Sequence, residues 1–162
     1  MRTKGFVIAL GIGLVVAAVA VLGVVTLQRG STPHLAAEIT GVRTLGVEES
    51  ASVALVDFRF TNDSRMLFIV QDTLMTLVDG KGQVHEGRII SASHTNQLFE
   101  LFAALGGRQA ESLVAKTRIG AGQARTAMVA ARFEISKTAL DARQKLTVSV
   151  QEVDGAVSEL TR

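Results

Sequence analysis

The sequence predicts a mainly β protein, with one apolar helix near its start and an antiparallel β-sandwich carrying one short inserted helix. Three observations predict it. Residues 5–27 hold no charge. Most of the later chain alternates apolar and polar residues with period two, the mark of half-buried strands. One stretch, residues 95–105, switches to the helical period.

The apolar run reads GFVIALGIGLVVAAVAVLGVVTL. As a helix it would be roughly 35 Å long, enough to cross a hydrocarbon core about 30 Å thick. The leader, residues 1–4, carries Arg2 and Lys4. A positive flank stays in the cytoplasm, so the expectation is one transmembrane span with the rest of the chain outside. A cleaved signal peptide is the alternative, with Ala18-Val19-Ala20 as a loose cleavage site. The apolar run continues through Val21–Val25, which favours a retained span. Gly5, Ala9, Gly13 and Ala17 form a small-residue stripe on one helix face, a candidate packing surface for a homodimer in the membrane. Residues 28–36 are polar, contain the one proline, and read as a tether.

The expected sandwich runs over residues 37–162. Residues 37–46 form a first strand with a bulge near Gly41. Residues 52–61 (SVALVDFRFT) place Ala54, Val56, Phe58 and Phe60 on one face and Asp57 and Arg59 on the other. Residues 62–65 make a turn. Residues 66–70 and 73–78 are the next extended stretch. Asp79-Gly80-Lys81-Gly82 is a hairpin signal, and residues 83–90 return. Leu98, Leu101, Phe102 and Leu105 then fall at i, i+3, i+4 and i+7, giving a helix over about 95–105. Ser93, Thr95 or Asn96 would cap it, and Gly106-Gly107 would stop it. Residues 112–119, 126–135 and 145–153 read as strands, and the last seven residues add a short edge strand or fray. Antiparallel strands with one wet face imply two sheets packed face to face.

Composition narrows function. The protein has 162 residues, no cysteine, no tryptophan and no tyrosine. Disulfides, thiolate metal sites and thiol nucleophiles are therefore excluded. Of the 17 Lys/Arg, Arg2, Lys4 and Arg29 flank the apolar run, so 14 face 15 Asp/Glu in the remainder. That near-neutral balance, without aromatic stacking platforms, gives no case for nucleic acid.

Three segments carry a family resemblance: Phe58-Arg59-Phe60-Thr61-Asn62, Leu77-Val78-Asp79-Gly80-Lys81-Gly82, and IGAGQARTAMVAARF over residues 119–133. They resemble the "strand then Asn", "Leu-Asp-Gly hairpin" and "Gly-Gln then strand ending in Phe" elements of small immunoglobulin-like, telokin-like domains of unknown function on bacterial envelope proteins. The resemblance spans roughly residues 37–153. It implies an immunoglobulin-like fold held outside the inner membrane, and it brings no catalytic residues. The inserted helix departs from the family's minimal pattern.

No catalytic motif emerges. His34, His85 and His94 lack metal-ligand spacing, and no GxSxG elbow is present. His85 and His94 could gather with Asp79 at one end of the sandwich. The expectation is no catalytic residue, no metal and no cofactor. Leu98, Phe99 and Phe102 on the inserted helix are the candidate interaction residues, because the apolar face is broad for so short a helix. The function expected is a non-catalytic interaction or scaffold module of the bacterial envelope, anchored in the inner membrane with its domain in the periplasm or outside the cell. It would have one membrane span and an envelope protein as partner. The alternatives are a structural or stress-protective envelope protein without a defined partner, a secreted form after signal cleavage and, further off, a small hydrolase or metal-binding protein.

Overall fold

The computed structural model describes residues 35–162. The apolar run 5–27, with Gly5, Ala9, Gly13 and Ala17, lies outside the described residues. Among those described, no helix is long and apolar enough to cross a membrane.

Eight strands form the body: β1 (Leu35–Glu48), β2 (Ala51–Asn62), β3 (Phe68–Val78), β4 (Val84–Ile89), β5 (Arg118–Ile119), β6 (Ala124–Phe133), β7 (Lys145–Glu152) and β8 (Val157–Thr161). Helix α1 (Ala92–Leu101) and a 3-10 turn (Ala103–Leu105) follow β4, and helix α2 (Lys137–Asp141) follows β6. β1 starts at Leu35, inside the segment expected as tether. The bulge expected near Gly41 is present, as a register shift between Ile39 and Gly41.

All paired strands are antiparallel, but they do not form two separate sheets. They form one curled sheet in the order β1-β2-β6-β4-β3-β7-β8, with β5 on β3. The curl is made at β4. Its first part, Val84–Gly87, pairs with β3, and its last part, Arg88–Ile89, pairs with β6. One strand thus hands the sheet from one half to the other. Gly87 stands at the handover, where the inner face is crowded. A Cβ there would lie 2.6 Å from Phe133 Cζ and 2.9 Å from Ala131 Cβ. Only a residue without a side chain lets β4 approach β6 so closely.

The stretch 112–119, expected as one strand, is a second crossing. Leu113 N–H donates to Met128 O on the β6 edge that β4 leaves free, while Lys116 N–H donates to Val70 O on β3. Only Arg118–Ile119 remain as a strand, pairing with Phe68 and Ile69. The segment fails as a strand because it divides its hydrogen bonds between the two halves of the sheet.

The inner faces enclose the main core. Val56, Phe58, Phe60, Phe68, Met75, Leu77, Phe133, Leu146, Val148 and Val150 are all at most 1 % exposed. The alternation read for β2, β6 and β7 places these side chains correctly. The turn after β2 is locked by Asn62, which is fully buried. Its Nδ2 donates to Met66 O (2.7 Å) and Ile119 O (2.8 Å), and its Oδ1 accepts from Ser64 N–H and Oγ–H. The asparagine of the "strand then Asn" element is therefore a structural knot.

The close approach at Gly87 is testable. Gly87→Ala should cost about 1–3 kcal/mol through overpacking. Adding Phe133→Leu should recover part of that loss. Urea unfolding of the full chain, followed by far-UV circular dichroism because tryptophan is absent, measures both.

Candidate functional site

β2 is buried on both faces. Its outward side chains Val53 and Leu55, with Leu45 from β1 and Met128 and Ala130 from β6, form a second apolar cluster. A layer over the outer face of the β1-β2-β6 half covers it. That layer is α1, the 3-10 turn and the loop to Ala110. The continuous apolar run SVALV fits a strand covered twice.

Leu98, Phe99 and Phe102, the candidate interaction residues, are half-buried against this cluster. The helix differs from the one expected. It begins at Ala92, capped by Ser91, whose Oγ accepts from His94 N–H, and it ends at Leu101. Ser93, Thr95 and Asn96 do not cap it; Thr95 is buried, its hydroxyl donating to Ser91 O. At Phe102 the backbone leaves the helix (φ −122°, ψ 89°), and residues 103–105 form the 3-10 turn instead. The apolar period continues through the break, but the helix does not. Leu105 is buried, while Leu101 points out and is 75 % exposed.

An arginine fastens this layer. Arg43 on β1 donates from Nη2 to Asp57 Oδ1 (3.0 Å) and Oδ2 (2.8 Å) on β2. From Nη1 it donates to Leu105 O (2.9 Å) and Gly107 O (3.0 Å). Its guanidinium lies 5.0 Å from the centre of the Phe99 ring. One side chain therefore joins β1, β2, the helix and the loop beyond it. Asp57, expected on a wet face, is buried because that face is covered.

Beside the helix the cover is incomplete. An open groove of about 680 Å³ runs between α1 and the sheet. Val47, Val53, Ile90, Leu98 and Leu101 supply its apolar lining, and Arg88, Arg132 and His94 supply its ionisable groups. A second open groove, about 610 Å³, lies at the β2–β6 end beside residues 111–114. The first combines an exposed aliphatic lip with clustered cations, and it is the candidate site.

No protein-family model matches this chain. No curated protein matches it either. Solved structures offer only loose likenesses. An uncharacterised β-sandwich protein from Clostridium difficile 630 is 8 % identical over 78 % of this chain and 84 % of its own, with a TM-score of 0.40. The archaellum periplasmic stator protein FlaG from Sulfolobus acidocaldarius is 12 % identical over 79 % and 99 %, with a TM-score of 0.34. The putative ApaA protein from Bordetella pertussis is 14 % identical over 80 % and 88 %, with a TM-score of 0.33. At these scores the likenesses carry no argument about function.

The histidines separate. His85 Nε2 is 3.0 Å from Asp79 Oδ2. His94 Nδ1 is 3.0 Å from Ser91 Oγ at the start of α1. Among the described residues no three metal-ligating groups come together. Asp79 is committed to its hairpin, its Oδ1 accepting from Lys81 N–H (2.8 Å) and Gln83 N–H (2.9 Å). The Gln83 N–H, and next the His85 ring, hold its carboxyl below the ordinary carboxylate range.

Arg43, Asp57, Arg88 and Arg132 are not among the candidate functional residues that the sequence offers. For Asp57 a signal existed: it sits between Val56 and Phe58 in a run too apolar to have a wet face. For Arg88 and Arg132 none existed, since their meeting depends on the β4–β6 register.

Two outcomes follow from the fastening and the hairpin. Arg43→Met should cost about 2–4 kcal/mol, because it strands the Asp57 carboxylate under the helix layer. Arg43→Met with Asp57→Leu should regain most of that loss in urea unfolding. Separately, the folded pKa of Asp79 lies below its unfolded one. Its stabilisation is therefore full above about pH 4 and disappears as pH falls through the folded value. Asp79→Asn should flatten that part of the acid-unfolding curve.

Proposed function

We propose that this protein is a non-catalytic, membrane-tethered interaction module of the bacterial envelope, and that it docks a protein partner at the groove beside α1. One observation carries the reading. Leu101 is 75 % exposed at the lip of a groove whose apolar lining includes Val47, Val53, Ile90 and Leu98. A large aliphatic side chain left in water beside a concave apolar surface is where a partner gains most from burial. The candidate residues Leu98, Phe99 and Phe102 then divide their roles. Phe99 and Phe102 hold the helix on the sheet, and Leu98 joins Leu101 in forming the contact surface.

A binding role also fits the engagement of the polar groups. Arg43 and Asp57 fasten the helix layer, and Asp79 and His85 fix a hairpin. The uncharged run 5–27 after a positive leader supports an inner-membrane anchor with the domain on the outer side. The three family-like segments support an immunoglobulin-like assignment within the mainly antiparallel fold.

A photocrosslinking residue placed at position 101 in cells tests the docking. It should give one discrete adduct, while the same residue at Val84, which is 72 % exposed on β4, should not. Leu101→Ser should remove the complex and leave the melting temperature nearly unchanged, since an exposed side chain contributes little to folding. Equal adducts from both positions, or none from 101, would end the proposal.

A further inference from the structure

Arg88 and Arg132 are direct cross-strand partners in the β4–β6 register. Both lie on the outer face, and both line the groove. Like charges at opposed positions disfavour a sheet, with Cβ atoms only about 5 Å apart. The neighbourhood relieves this only in part. Arg132 Nη2 donates to Glu48 Oε1 at 3.3 Å, and its Nε lies 3.3 Å from Glu134 Oε1 without making a hydrogen bond. Those two carboxylates are 61 % and 70 % exposed, so water and salt screen them. Arg88 has no ion-pair partner among the described residues. Among the described residues that line the groove there is no Asp or Glu.

We propose that the groove recognises an acidic segment of a partner protein, one carboxylate bridging Arg88 and Arg132 while a neighbouring aliphatic or aromatic side chain settles against Val53, Leu98 and Leu101. This inference rests on the docking function proposed above and adds the partner's chemistry. Two arginines at opposed register positions on one face bring donors within reach of the two oxygens of one carboxylate. The apolar lining begins beside them, so charge and hydrocarbon must sit close together on the same ligand. The groove is open along its length, and a free small molecule would stay half-wet in it. A segment carried on a partner's surface brings its own cover.

Selection of displayed random peptides against the full chain in detergent tests this. Enriched peptides should place Asp or Glu next to Leu, Ile or Phe. Their affinity should fall about tenfold for Arg88→Ala with Arg132→Ala at physiological salt, and further for Leu101→Ser. Arg88→Glu with Arg132→Glu should turn the selection toward Lys and Arg. Peptides that depend on Leu101 but show no acidic preference would overturn the charge recognition and leave the docking function standing. If no peptide depends on Leu101, the docking function itself fails. Arginine-dependent binding to phosphatidylglycerol vesicles, with no peptide selected, would assign the pair to lipid and overturn the inference.

Discussion

The architecture depends on one strand serving two neighbours. β4 pairs first with β3 and then with β6, and Gly87 stands where it changes partner. The ring of Phe133 occupies the space where a side chain would be. That contact brings the two halves of the sheet face to face and encloses the phenylalanines between them. The crossing at residues 111–119 repeats the tie on the free part of the β6 edge, through Met128 and Val70. Lacking disulfides, the domain is kept curled on itself by these two crossings and by the buried Leu35 N–H donating to Ser158 Oγ, which ties β1 to β8.

The same half of the sheet carries a second layer. Arg43 draws the chain after α1 down onto β1 and β2, and Asp57 balances its charge beneath the cover. The cover reaches Leu45, Leu55 and Met128 but stops short of the β4 side. There the curl places Arg88 beside Arg132 and leaves an apolar hollow next to them. The groove is thus a product of two separate constraints, the handover at Gly87 and the limited length of α1. Neither one alone would place hydrocarbon and positive charge side by side.

What could be read from the chain, and what could not, divides by distance along it. The alternation in Val56–Phe60, Val129–Phe133 and Leu146–Val150 reports local geometry, and it gave the inner core face directly. The Asp79–Gly82 hairpin and the bulge near Gly41 were equally local. The single curled sheet was not legible, because a strand shared between two partners has the same pattern as a strand with one. The helix was legible in kind but not in extent. Leu105 continued the apolar period through a backbone break at Phe102, which periodicity cannot register. Arg43 with Asp57, and Arg88 with Arg132, are pairs created by register, and nothing in the residues near either member announces the other.

β2 has a further consequence for how the chain comes to be folded. Its neighbours are β1, made just before it, and β6, made only after β3, β4, α1 and β5. Until residues 124–133 exist, β2 has one bare edge and apolar side chains on both faces. Such an edge invites pairing with other chains. As the polypeptide is synthesised, its most vulnerable species is a β1–β2 hairpin waiting for a distant strand. The distance between β2 and β6 therefore sets a window in which a holdase has most to protect.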